Sequence, residues 1–81
     1  MDKAEIISKH NVDKLFQEAV KLQSGGNFPE AEALYLKSLE LHPGHFDSLC
    51  NMAVLYNEIN HYDGALLYAS IAMKIHPDSA S

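Results

Sequence analysis

The sequence predicts an all-α protein of two antiparallel helix-turn-helix units, stacked as a short right-handed α-solenoid and preceded by a short N-terminal helical extension. The first observation is an internal repeat, since residues 12–45 align with residues 46–79 without a gap at a shift of 34 positions. The second is that the apolar residues of both units recur at helical steps of three and four. A period of about 20 to 50 residues is typical of a helical solenoid.

The repeat divides the 81 residues into four parts, which are the extension at 1–11, the first unit at 12–45, the second unit at 46–79 and a tail at 80–81. Seven pairs of residues at the 34-residue shift are identical, which supports this division. In the extension, Ala4, Ile6 and Ile7 either continue the first helix toward the N-terminus or form a separate short turn.

Each unit is predicted to contain two helices and a turn. In the first unit, residues 24–27 end the first helix, because glycine accepts the left-handed conformation found just past a helix end. Asn27 and Glu30 have the spacing of a capping box for the second helix, which we expect to end near Leu41. In the second unit Asn60 replaces glycine and the capping box is absent, so we predict a turn weaker by ~1 kcal/mol.

Both units place large, small and aromatic residues in the same order. The first unit has Leu15, Ala19, Leu22, Gly26, Phe28, Ala31, Tyr35, Ser38 and Pro43, and the second has Leu49, Met52, Ala53, Tyr56, Tyr62, Ala65, Ala72 and Pro77. This pattern resembles the tetratricopeptide repeat, with Glu18, Asn60 and Ala69 as departures from it. Small residues such as Ala19, Ala31 and Ser38 are expected where helices approach closely, since leucine would push the helices apart.

The resemblance implies a non-catalytic scaffold that binds an extended peptide or a helix of a partner protein. In this family the first helices line a concave groove, and the candidate groove residues are Asp13, Phe16, Gln17, Val20, Gln23, Ser24, Asp47, Cys50, Asn51, Val54, Asn57 and Glu58. None of them is a lysine or arginine, so we exclude a clamp for a carboxylate chain terminus.

Two amides of the predicted groove bear on the kind of ligand. Asn51 matches the asparagine that forms a ladder in arrays resembling the O-linked sugar transferases, and Gln17 is its counterpart one unit earlier. A side-chain amide can pair with both the N–H and the C=O of an extended peptide. The alternative is that these amides are only solvated or order the next turn.

The last helix, residues 62–75, has almost no polar face. Helices that are apolar on all sides are normally buried. We therefore expect it to pack on the next repeat of a longer parent chain or on a second copy of this chain, through a surface formed by Leu67, Tyr68, Ile71 and Ile75.

An alternative function comes from the similarity of residues 31–35 and 39–43 to the opening repeats of bacterial arrays that precede a glycosyltransferase or sulfotransferase domain. On this interpretation the chain is the N-terminal arm of a larger transferase, and the catalytic domain lies outside the sequence.

Composition excludes several other classes of protein. The net charge of −5 and six scattered lysines argue against nucleic-acid binding, which needs clustered cations to displace counterions from phosphates. No apolar run approaches 18 residues and no secretory signal is visible, so we expect no membrane span and a cytoplasmic location. A single cysteine, Cys50, also favours a reducing compartment.

The residues offer no pattern for catalysis or for a cofactor. His42 and His45 are the tightest pair of the five histidines, but no cysteine or carboxylate stands at ligand spacing beside them, so we expect no metal site. Cys50 has no histidine at helical spacing to activate it as a nucleophile. Phosphate-binding and dinucleotide-binding motifs are absent as well, and we expect a protein that is not an enzyme.

Overall fold

The computed structural model describes residues 3–76, with side chains described from residue 11 onward. Four helices follow one another: α1 (Lys3–Ser24), α2 (Phe28–Leu41), α3 (Phe46–Glu58) and α4 (Tyr62–Ile75). Helices α1 and α2 form hairpin 1, and α3 and α4 form hairpin 2. The predicted all-α fold of two stacked hairpins is confirmed. The predicted role of Pro77, the end of the second unit and the tail at 80–81 lie outside the described residues.

The N-terminal extension is a direct continuation of the first helix, since α1 runs unbroken from Lys3 to Ser24. Of the two possibilities for the extension, residues 3–11 therefore have the continuous helix rather than a separate turn. The side chains of residues 3–10 lie outside the described part of the chain.

The core lies where hairpin 1 and hairpin 2 meet. Helix α3 packs on α2 and, over a smaller area, on α1, whereas α4 within the described residues packs only on α3. Tyr35, Met52 and Leu55 are fully buried at this interface together with Ala19 and Ala31. The prediction that small residues stand at the close approaches is confirmed, because Ala19, Ala31 and Ser38 have no exposed surface.

The two hairpin turns have the same backbone geometry. Gly26 at φ 83° and Asn60 at φ 64° occupy equivalent positions in the left-handed region. After each of them the next N–H reaches back across the helix end, from Asn27 to the Leu22 carbonyl at 2.8 Å and from His61 to the Tyr56 carbonyl at 2.7 Å. The prediction that Asn60 provides the left-handed residue of the second turn is confirmed.

The prediction that only the first turn carries a side-chain cap is wrong. The Asn27 side chain makes no capping hydrogen bond to α2. In hairpin 2 the Nδ1 atom of His61 accepts a hydrogen bond from the Gly64 N–H at 3.1 Å. Histidine was overlooked because it is not a common capping residue, yet its neutral ring nitrogen is an acceptor within reach of this N–H.

Candidate functional site

Helices α1 and α3 enclose an open cavity of about 290 Å³, named here the groove cavity. It is lined by Val20, Gln23, Ser24, Asn51, Val54 and Glu58. All six belong to the groove row expected from the sequence, three on each of the two first helices. Within the described residues, the C-terminal parts of α1 and α3 thus form one concave surface.

A chain of three hydrogen bonds beside the groove cavity joins three helices. The Asn51 amide on α3 donates to the Tyr35 hydroxyl on α2 at 3.2 Å. That hydroxyl donates to the Gln23 side-chain oxygen on α1 at 2.6 Å. The Gln23 amide in turn donates to the Glu58 carboxylate at 2.5 Å, which returns the chain to α3. The amides are therefore held in fixed orientations rather than left to rotate in solvent.

Tyr35 is the member of this chain that the sequence did not assign to the site. Its ring is fully buried, and burial raises the pKa of its hydroxyl above the ordinary value, against a smaller lowering by the Asn51 hydrogen bond. The hydroxyl therefore stays protonated and can donate at neutral pH. A buried tyrosine needs a hydrogen-bond partner for its O–H. This requirement, together with the amides on the neighbouring first helices, is the sequence feature from which the role of Tyr35 could be predicted.

A second tyrosine ties the hairpins together outside the groove cavity. The Tyr56 hydroxyl on α3 donates to the Glu32 carboxylate on α2. Burial and then the Glu32 carboxylate raise the pKa of Tyr56 well above its ordinary value. This contact therefore adds a second hydrogen-bonded link between α2 and α3.

The remaining groove candidates do not line the groove cavity. Phe16 packs its ring between Tyr35 and His45, at centroid distances of 6.0 and 5.4 Å, and so belongs to the contact between hairpins. Cys50 lines a separate apolar cavity between α3 and α4. The others are exposed on the helix surfaces nearby: Asp13, Gln17, Asp47 and Asn57.

The four residues expected to form an association surface on the last helix are divided by the structure. Tyr68 is half-buried and packs on the core, with its ring 5.6 Å from that of Tyr56. Ile71 is also half-buried, whereas Leu67 and Ile75 are exposed. Leu66 and Met73 are more exposed still, at 69% and 66%, and were not predicted. The exposed apolar residues of α4 therefore lie on several of its sides.

The surroundings of Cys50 do not activate it as a nucleophile. Burial and the nearby Asp47 carboxylate raise the pKa of the Cys50 thiol, which disfavours the nucleophilic thiolate. Among the side chains described from residue 11 to residue 76, no three histidine, cysteine or acidic groups lie close enough to hold a metal ion. None of the helices described between residues 3 and 76 is both long and apolar enough to cross a membrane.

Comparison with known proteins gives one match. The tetratricopeptide repeat family matches residues 34–66, which reach from α2 through α3 into the first turn of α4. No curated protein matches the chain, and no solved structure matches it. The matched segment crosses from one hairpin to the next and agrees with the observed pair of stacked hairpins. Residues 34–66 are thus similar to a tetratricopeptide repeat.

Proposed function

We propose that this chain is a non-catalytic interaction module that binds an extended segment of a partner protein in the groove cavity. Tetratricopeptide repeats imply protein partners in general. The observation that supports a specific site is the hydrogen-bond chain, which holds Asn51 and Gln23 at the wall of an open cavity. An amide has two N–H donors and one acceptor oxygen. Asn51 uses one donor on Tyr35 and retains the capacity to pair with a peptide backbone.

The charge of the groove cavity favours a partner segment that is basic. Glu58 lines the cavity, no lysine does, and the whole chain carries a net charge of −5. One oxygen of the Glu58 carboxylate accepts from Gln23. The other oxygen can form a charge-assisted hydrogen bond with a lysine or arginine of the ligand. We expect the bound segment to place such a side chain beside Glu58 and an apolar side chain on Val20 and Val54.

Selection from a library of random dodecapeptides tests this proposal, followed by calorimetric titration of the enriched peptides. Val54→Lys fills the groove cavity without touching the hydrogen-bond chain, and we expect it to weaken binding at least about tenfold, or ~1.4 kcal/mol. Asn57→Lys is the matched control, because it places the same charge on α3 outside the cavity. Glu58→Gln should remove the preference for basic peptides.

Two results would contradict the groove proposal. One is that no peptide is enriched over a scrambled pool. The other is that the enriched peptides bind wild type, Val54→Lys and Asn57→Lys with equal affinity. The melting temperature of each variant, followed by circular dichroism, separates lost binding from lost folding.

Association of two copies through α4 is a second candidate function. It is supported by the exposure of Leu66, Leu67 and Met73, each more than half accessible to solvent. Contiguous exposed apolar surface often marks an interaction site. Sedimentation equilibrium should then show a dimer that Leu66→Lys dissolves, and a monomer at hundreds of micromolar would contradict it.

The role of N-terminal arm for a transferase also stays a proposal, supported only by the similarity of residues 31–35 and 39–43 to such arrays. Reading the gene beyond codon 81 tests it, since a stop codon there would contradict it. We propose a cytoplasmic location on the ground of the single cysteine, and cell fractionation tests that.

A further inference from the structure

Histidine stands at the N-cap of both helices of hairpin 2, with His45 before α3 and His61 before α4. In each case the ring Nδ1 atom accepts a hydrogen bond from the backbone N–H three residues further on. The donors are the Ser48 N–H at 3.3 Å and the Gly64 N–H at 3.1 Å. Only an unprotonated ring nitrogen accepts a hydrogen bond. Both caps therefore require a neutral ring that carries its proton on Nε2.

Hairpin 1 has no titratable cap at the equivalent positions. Thirty-four residues before His45 and His61 stand Asn11 and Asn27. Helix α1 runs through Asn11, so that no helix begins there, and the Asn27 side chain makes no capping hydrogen bond. An asparagine side chain also carries no charge at any ordinary pH. Within the described residues, caps that depend on protonation therefore belong to hairpin 2.

The cap of α4 is built around the imidazole ring. A Cβ atom at Gly64 would lie 2.8 Å from Nδ1 of His61 and 2.8 Å from the Tyr56 ring. The His61 ring packs on that tyrosine, with the two ring centroids 5.1 Å apart. In hairpin 1 the position equivalent to Gly64 holds Glu30. Glycine thus leaves the space through which the ring reaches the backbone.

The cap of α3 has a second donor on the same nitrogen. The Ser48 hydroxyl lies 2.6 Å from Nδ1 of His45. When the ring is neutral, both the N–H and the hydroxyl of Ser48 can donate to Nδ1. When Nδ1 is protonated it donates to the Ser48 hydroxyl instead, and the backbone N–H loses its acceptor.

Burial makes the loss of either cap costly. Ser48 has no exposed surface, and Gly64 is also buried. Water therefore has poor access to the two N–H groups, and a buried donor without a partner is destabilising. A positive ring at a helix N-terminus also meets the positive end of the helix dipole. Both effects disfavour protonation of the capping rings in the folded chain.

The groups that face His45 do not reverse this effect. The Phe16 ring of α1 meets the imidazole edge to face, at 5.4 Å between centroids, and is uncharged. The His42 ring, before α3, lies 5.6 Å away and would repel a second positive ring. Asp47 is in the first turn of α3, but the ring's hydrogen bonds within the described residues go to Ser48.

The surroundings of His61 are similar in charge. From α3 it faces Tyr56, whose hydroxyl donates to the Glu32 carboxylate of α2. Asp63 lies in the first turn of α4, and the described hydrogen bond of the ring goes to Gly64. The two acids in the first turns favour a positive ring through space, whereas the lost hydrogen bonds and the helix dipoles oppose it.

We propose that hairpin 2 is a pH-sensitive unit, in which protonation of His45 and His61 removes the caps of α3 and α4. Histidine changes its charge between about pH 5 and pH 8. The unfolded chain then binds protons that the capped rings exclude, so the stabilisation is present at neutral pH and is lost as the pH falls. The first turns of α3 and α4 open in acid, and hairpin 1 has no equivalent transition.

Urea unfolding of the full chain at about pH 7.5 and about pH 5.5 tests this inference. The unfolding equilibrium constant of wild type should rise at least about tenfold at the lower pH, because two caps are lost. In His45→Asn/His61→Asn the rise should be less than about threefold, since asparagine does not titrate. His76→Asn is the matched control, because it removes a histidine at the other end of α4 and should retain the wild-type rise.

Nitrogen-15 NMR of the histidine rings provides a readout that does not depend on any variant. At about pH 7.5 both His45 and His61 should be neutral and carry the proton on Nε2. If the double variant does not fold, His61→Asn alone provides the comparison with His76→Asn. Neither measurement uses a peptide, so the result is independent of the groove proposal.

Three outcomes would overturn the inference. The first is equal stability of wild type at the two pH values. The second is an acid loss that persists in His45→Asn/His61→Asn, since carboxylates or the other histidines would then cause it. The third is a proton on Nδ1 of either capping ring at neutral pH, because that nitrogen could not accept from the helix backbone.

Discussion

The two hairpins have the same repeat and the same backbone turns, yet equivalent positions meet different surroundings. Ala19 and Tyr35 of hairpin 1 are sealed by α3, whereas Ala53 and Ala69 of hairpin 2 line an open cavity. On the opposite side of each hairpin the pattern is inverted, because Met52 is buried and its counterpart Glu18 is exposed. The comparison teaches that side chains, more than the backbone, determine which face of a repeat is an interface and which is an end.

The largest expected effect tests the buried side of hairpin 2 against the exposed side of hairpin 1. Met52→Ala should lower the free energy of unfolding by about 2–5 kcal/mol, because it leaves a cavity at the contact between hairpins. Glu18→Ala at the equivalent position should change it by less than about 0.5 kcal/mol. Urea denaturation followed by circular dichroism measures both, and equal losses would contradict the assignment of the two faces.

An intermediate effect is expected for a larger side chain at the equivalent alanines. Ala19→Leu should cost about 1–3 kcal/mol, since the residue is fully enclosed by α2 and α3. Ala53→Leu should cost clearly less, because its side chain can extend into the apolar cavity between α3 and α4. Thermal unfolding of the two variants against wild type checks the difference. A greater loss from Ala53→Leu would mean that this cavity is closed in solution.

A smaller effect distinguishes the two turns. His61→Ala removes the side-chain acceptor for the Gly64 N–H and should cost about 1 kcal/mol. Asn27→Ala, at the equivalent position of hairpin 1, removes no capping hydrogen bond and should cost only a few tenths of a kcal/mol. Urea midpoints of both variants measure this difference. A larger loss for Asn27→Ala than for His61→Ala would instead support a capping box at the first turn.

The smallest effect at neutral pH concerns the tyrosine hydroxyls between the hairpins. Tyr35 and Tyr56 have pKa values raised above the ordinary 10.0, so the folded chain keeps these protons at a pH where the unfolded chain loses them. Their contribution to stability is complete below pH 10.0 and is lost as the pH rises through the folded-state values. Urea unfolding at pH 8 and about pH 11 should show this loss, and Tyr35→Phe should reduce it.

Much of the fold could be predicted because the repeat encodes it locally. The 34-residue shift located both hairpins, and Gly26 and Asn60 marked both turns. The His61 cap was missed, because capping by a histidine depends on where its ring lies relative to one N–H rather than on a residue preference. Local sequence patterns therefore predicted the helices and turns better than the side-chain hydrogen bonds that cap the helices.

The candidate site was predictable only in part. The helical row placed Val20, Gln23, Asn51, Val54 and Glu58 on one surface, and the structure unites these five around the groove cavity. Tyr35, which donates a hydrogen bond to Gln23, lies on α2, whereas the predicted groove residues all lie on α1 and α3. Phe16 belongs to the same row but lies outside the groove cavity, because its ring packs against Tyr35 and His45, which its position in the sequence does not reveal.

The hydrogen-bond chain of the groove cavity begins and ends on α3 and passes through α2 and α1. Separating hairpin 2 from hairpin 1 would break it and would also remove half of the groove cavity lining. Any ligand of this cavity therefore binds the docked arrangement alone, and mass action makes the docking more favourable as ligand concentration rises. Binding of a partner and docking of the two hairpins are therefore thermodynamically coupled, so that each stabilises the other.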